Sequence, residues 1–69
     1  MLDSEKLKGV INESGIKMYK LASELNLSPY GFALKVNGKN DFKASEIVKL
    51  CSILKLEGHR RDEIFFPSL

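Results

Sequence analysis

Lysine charge without a balancing carboxylate is confined to one segment of this 69-residue sequence, whose formal net charge is +2. The charges on either side of residues 29–43 cancel, whereas that segment sets Lys35, Lys39 and Lys43 against Asp41 alone. Clustered ammonium groups can bind phosphate oxygens, so the segment is a weak indication of a polyanionic partner. On this feature alone, ordinary solvated lysines are the simpler interpretation.

Residue types that serve catalysis or metal binding are sparse. The one cysteine is Cys51 and the one histidine is His59, and helical periodicity brings no histidine close to the cysteine. The sequence contains no glycine-rich phosphate loop, no His/Cys set at metal-ligand spacing and no nucleophile with a base. We therefore expect neither an enzyme nor a metal or cofactor site; Cys51 is expected in the core, and His59 on the surface.

Apolar residues recur at helical spacing along almost the whole chain, and no alternating segment is long enough for a sheet. Capping residues and glycine or asparagine stops delimit the segments. Helices are expected from Asp3 or Ser4 to Gly15, from about 17 to 25, from Ser28-Pro29 to Asn37-Gly38, and from 44 to 54. The tail 58–69 is expected to hold one short helical turn. The sequence predicts a single all-α domain, a compact bundle of four to five short helices, in a cytoplasmic protein without a membrane partner.

The second and third helices are separated by Asn26-Leu27-Ser28 alone. So short a turn favours a crossing nearer perpendicular than antiparallel, which is the geometry of a helix-turn-helix. The small Ala22 allows close approach, and Phe32 and Val36 would close the core behind the pair. The residues left pointing partly outward are Tyr30, Ala33, Leu34 and Lys35.

Residues 15–28, followed by Phe32 and Asn37-Gly38-Lys39, resemble the helix-turn-helix of the phage repressor/Cro family. The segment 35–42, with Ile64-Phe65-Phe66 near the end, is similar to small phage-encoded regulators of Gram-positive bacteria. The resemblance extends over residues 7–66. It implies a lambda-repressor-like bundle with its helix-turn-helix at about 17–37 and its third helix, 29–37, in the DNA major groove.

The function implied by this resemblance is that of a Cro-like transcriptional regulator of a phage or prophage, acting in a lysis–lysogeny switch. Such a protein works in the cytoplasm of the bacterial host and is nucleoid-associated when bound to DNA. The implied partner is a double-stranded operator with two-fold symmetry, bound by a homodimer. With 69 residues, the chain is expected to lack the second domain that many full repressors carry.

The resemblance also assigns roles to individual positions. The base-facing residues would be Ser28, Pro29, Tyr30, Gly31, Leu34 and Lys35, with Lys35 as the most plausible polar reader. The phosphate-facing residues would be Lys17, Met18, Lys20, Asn37, Lys39, Asn40 and Lys43. Three positions depart from the family pattern: Lys17 lacks a capping side chain, Met18 stands where glutamine is common, and Asn26 replaces a glycine, whose left-handed conformation asparagine tolerates.

An alternative hypothesis follows from the apolar character of the third helix. Pro29, Gly31, Ala33 and Leu34 offer no side-chain hydrogen bond to a base. The chain would then be an antirepressor or modulator that binds another phage repressor protein through the same helix. Its protein-contact residues would be Tyr30, Leu34, Phe65 and Phe66. Tyr30 and Leu34 have a further interpretation, in which they pack beneath the loop 37–42.

Overall fold

A computed structural model of the chain describes residues 2–67, which form five α-helices and no strand. The helices are α1 (Ser4–Ser14), α2 (Met18–Glu24), α3 (Pro29–Val36), α4 (Ala44–Leu54) and α5 (Gly58–Phe65). The predicted all-α bundle of four to five short helices is confirmed. Across residues 2–67 no helix is long and apolar enough to cross a membrane.

Local signals fix the ends of α1. The side chain of Asp3 accepts a hydrogen bond from the backbone N–H of Lys6 at 3.1 Å, so Asp3 rather than Ser4 is the N-cap. The helix stops at Gly15, which has a φ of +74° in the left-handed region. Glycine adopts that conformation without steric cost, and its N–H bonds the carbonyl of Asn12.

The connection between α2 and α3 is a tight turn. Asn26 is left-handed with a φ of +58°, as the sequence predicts for a residue in place of glycine. The Ser28 hydroxyl oxygen accepts the N–H of Gly31 at 3.0 Å, and Pro29 occupies the first helical position. At the start of α2, Lys17 gives that helix no side-chain cap, also as predicted.

The core lies where α1 meets α3, α4 and α5, and where α2 packs on α3. Phe32, on α3, is fully buried. Phe42, in the loop 37–43, makes edge-to-face contacts with Phe32 and Phe65, with ring centroids 6.2 and 5.8 Å apart. The buried apolar residues are Leu7, Ile11, Leu21, Ala22, Leu25, Phe32, Val36, Leu50, Cys51, Leu56, Ile64 and Phe65.

The last helix corrects the sequence-based expectation for the tail. Instead of one short turn, α5 has eight residues. Ile64 and Phe65 are buried, and the carbonyl of Ile64 accepts the backbone N–H of Asp3 at 2.8 Å. These contacts with the opposite end of the chain stabilise a helix that local signals alone do not indicate.

Candidate nucleic-acid interface

The side of α3 that faces away from the core has no charged group, and Tyr30 is its most exposed residue. Phe32 and Val36 point inward. On the opposite side lie Tyr30, Gly31 and Leu34, which we call the outer face of α3. The Tyr30 side chain is 75% exposed, and Gly31 and Leu34 are half-buried. Ser28 and Pro29, at the start of the helix, are exposed as well.

The hypothesis that Tyr30 and Leu34 pack beneath the loop 37–42 is wrong for Tyr30, which is three-quarters exposed. For Leu34 the loop does return to the helix. The carbonyl of Leu34 accepts the backbone N–H groups of Lys39 and Asn40, at 2.8 and 3.3 Å. These bonds fix the start of the loop against the end of α3, beside the outer face.

Lys35 does not face outward from α3, where the sequence predicts a base-facing residue. Its ammonium is 2.6 Å from Oε1 of Glu46, and its side chain is 13% exposed. Because the ion pair turns Lys35 toward the start of α4, its charge is not presented on the outer face of α3. The prediction that Lys35 reads base edges is therefore corrected: it is a structural residue that joins α3 to α4.

Glu46 is the partner that the sequence analysis missed. It is 8% exposed, and the same Oε1 accepts the backbone N–H of Lys43 at 2.9 Å. Burial raises the pKa of this carboxyl. The hydrogen bonds from Lys35 and Lys43 and the charges of the same two lysines outweigh burial, so the net pKa of Glu46 is lowered. A glutamate three residues after a helix start is a known capping arrangement, and that signal was available in the sequence.

Exposed lysines adjoin α3 on both of its neighbouring segments. At the start of α2 these are Lys17 and Lys20, and in the loop 37–43 they are Lys39 and Lys43. None of the ion pairs within residues 2–67 includes Lys17, Lys39 or Lys43. Lys20 lies 3.8 Å from Glu24 on the surface of α2. Because this ion pair is exposed to solvent, the attraction between its two charges contributes little energy.

The other residues predicted to face phosphates are also at the surface. Met18 is 40% exposed, and Asn37 and Asn40 are exposed. The Asn37 side-chain N–H₂ donates to the carbonyl of Ala33 at 2.8 Å, which orients the amide against the end of α3. The structure thus brings the predicted phosphate-facing positions to two segments: the start of α2, a helix that packs on α3, and the loop 37–43, which is hydrogen-bonded to the end of α3.

Phe65 and Phe66 separate in the structure. Phe65 is buried, so its predicted role as a protein contact is wrong; its ring is part of the core beside Phe42. Phe66 is 39% exposed. It lines an open groove of about 550 Å³, together with Leu2, Phe42 and Ile47.

Cys51 and His59 differ in burial, and neither belongs to a cluster of metal ligands within residues 2–67. Cys51 is buried in the core as predicted; burial raises the pKa of its thiol, and the charge of Arg61 offsets this in part. His59 is exposed, with Nε2 3.3 Å from a Glu63 carboxylate oxygen. In the part of the chain that the structure describes, no three His, Cys, Asp or Glu side chains are grouped as metal ligands.

Comparison with known proteins gives a family for the chain. Residues 1–68 match the family described as "Protein of unknown function (DUF739)", and the chain belongs to that family. No curated protein and no solved structure matches it.

Proposed function

We propose that this member of the DUF739 family is a DNA-binding transcriptional regulator of the repressor/Cro type, with α3 in the major groove. The observation that carries the proposal is the uncharged outer face of α3, together with exposed lysines on the neighbouring segments, of which Lys17, Lys39 and Lys43 form no ion pair within residues 2–67. The tight turn at Asn26 and the packing of α2 on α3 support the same motif.

The dimensions of the motif suit duplex DNA. An α-helix with its side chains is about 10–12 Å across, which fits a major groove about 12 Å wide, and the eight residues of α3 extend roughly 12 Å along the helix axis. With the outer face toward the bases, the loop 37–43 and the start of α2 would meet the sugar-phosphate backbone. Lys17, Lys39 and Lys43 would then replace counterions on the phosphates, a contribution that depends on salt and not on sequence.

The proposed biological setting rests on the resemblance of residues 7–66 to small phage regulators. The chain would act in a lysis–lysogeny switch of a phage or prophage, on the nucleoid of the bacterial host. A homodimer on a two-fold operator would place two copies of α3 about one helical turn of DNA apart.

The alternative partner is another phage repressor protein, bound through the same face of α3. The flanking lysines favour DNA. A protein bound to the apolar outer face would need no cations around that face. DNA would need them, because a phosphate backbone lies on each side of the major groove. Binding to protein instead of DNA is retained as an outcome of the experiment.

Selection from a pool of random duplexes tests the proposal. The purified chain is expected to enrich a motif, preferably palindromic, and the recovered duplexes are then measured across a salt series. Affinity should fall steeply with salt, with a slope of about 0.9 for each phosphate contacted. Two results would contradict the proposal: no enrichment at moderate salt, which would direct the search to a protein partner, or binding with a salt slope but no motif.

A further inference from the structure

We infer that α3 recognises thymine methyl groups by apolar contact, and that it does not read the hydrogen-bonding edges of purines. The inference rests on the proposed function and specifies the chemistry of the same site. The DNA bound by the protein should therefore have half-sites that present thymines to the outer face of α3.

The only charge on α3 is already paired. Lys35 is the one charged residue among the eight of the helix, and its ammonium is bound to Glu46. Guanine is commonly read by Arg or Lys and adenine by Asn or Gln. The helix contains no Arg, Asn or Gln, so none of these readers projects from its outer face.

Lys35 is not readily released to serve as a reader. Its departure would leave the Glu46 carboxylate, 8% exposed, with Lys43 as its partner, through the backbone N–H and the charge of that lysine. Breaking a buried ion pair by removing one of its two side chains is strongly destabilising. The ion pair therefore persists when α3 contacts a ligand.

The remaining surface of α3 is suited to methyl groups. Leu34 and the ring of Tyr30 are apolar and one helical turn apart, and Gly31 beside them has no side chain to hold DNA away. Thymine differs from the other bases in the major groove by its C5-methyl group, which apolar side chains contact. The lysines of the neighbouring segments supply the positive charge that holds such an uncharged face against a polyanion.

Base analogues in the selected duplex test the inference. Replacing a contacted thymine with deoxyuridine removes only the methyl group, and we expect about a fourfold loss of affinity for each such position. Replacing purines with 7-deaza-purines removes the N7 acceptor and is expected to leave affinity unchanged. A loss with 7-deaza-purines and none with deoxyuridine would overturn the inference while leaving DNA binding established. If no duplex is enriched, the proposed function fails and the inference fails with it.

Protein variants assign the effect to α3. Tyr30→Ala and Leu34→Ala should each weaken binding. Each should also reduce, at one thymine position, the loss of affinity that deoxyuridine causes (the deoxyuridine penalty). A double-mutant cycle measures this coupling between the side chain and the methyl group. Val48→Ala is the matched control: Val48 is an exposed apolar residue on α4, outside the outer face of α3, and its truncation is expected to keep both the affinity and the loss caused by deoxyuridine. Thermal unfolding of each variant confirms that it is folded, and Tyr30, which is 75% exposed, tolerates truncation. An unchanged penalty in Tyr30→Ala and Leu34→Ala alike would exclude the outer face as the methyl contact.

Discussion

Lys35 on α3 and Glu46 on α4 form an ion pair, with 2.6 Å between the ammonium and Oε1. The same oxygen accepts the backbone N–H of Lys43, the N-cap of α4. One carboxylate thus joins the last turn of α3 to the start of α4. The pair holds the outer face of α3 and the loop 37–43 in a fixed relation, and it removes the single charge of α3 from the proposed DNA-binding surface.

The first prediction concerns the stability of this pair. Lys35→Met should lower the free energy of unfolding by about 2 kcal/mol, because Glu46 then stays buried without its counter-charge. Adding Glu46→Gln should recover most of that loss, since a neutral amide oxygen can still accept the N–H of Lys43. Urea unfolding of wild type, both single variants and the double variant measures the coupling. Losses that simply add would show that the two side chains do not interact.

The second prediction concerns pH. The folded-state pKa of Glu46 lies below its ordinary value of 4.5, so the unfolded chain binds a proton at this site more readily than the folded chain. The stabilisation is therefore fully present above pH 4.5 and is lost as pH falls through the folded-state pKa. The stability difference between wild type and Glu46→Gln should be constant near neutrality and should shrink below pH 4.5. A difference that is independent of pH would contradict this account of the carboxylate.

The third prediction compares two glycines of α1. Gly9 lies inside the helix with nothing within 4 Å of an added Cβ, whereas Gly15 ends the helix at a φ of +74°. Gly9→Ala should raise stability by about 0.8 kcal/mol through helix propensity. Gly15→Ala should lower it by about 1 kcal/mol through the left-handed backbone. Thermal unfolding should show shifts of roughly 5 °C in opposite directions; shifts of the same sign would contradict the assigned helix end.

The fourth prediction concerns the Cys51 thiol. It is 6% exposed, and burial raises its pKa, so little reactive thiolate is available in the folded protein. Modification by a disulfide reagent at neutral pH should be at least about 100-fold slower than in denaturant. Equal rates in the two conditions would show that Cys51 is not in the core.

Local signals in the sequence were sufficient to predict most of the fold. The fourth helix was predicted over 44–54 and spans Ala44–Leu54, and Gly15 ends the first helix as expected. Both of these helix boundaries depend on contacts within a few residues of the chain. α5 was underestimated because Ile64 and Phe65 are held by the core and by Asp3, at the opposite end of the chain.

The candidate site was predicted less well, and Lys35 shows why. Helical periodicity placed it partly outward, and it lies at the border between the inner and outer sides of α3. Its actual direction is set by a carboxylate eleven residues further along the chain, and no periodicity within one helix reveals such a partner. Phe65 and Phe66 are a similar case, because adjacent residues of a helix end point to different sides and only the packed core determines which is buried.

DNA binding through α3 and its neighbouring lysines is tested by the salt dependence of duplex binding in charge variants. Lys39→Gln and Lys43→Gln should each weaken binding and flatten the slope of log affinity against log salt by about one unit. Lys55→Gln is the matched control: Lys55 is an exposed lysine beyond the far end of α4, roughly 18 Å from Lys43 along the helix. Lys55→Gln is expected to leave the slope unchanged. Equal slopes in all three variants and the wild type would contradict the proposed DNA-binding surface.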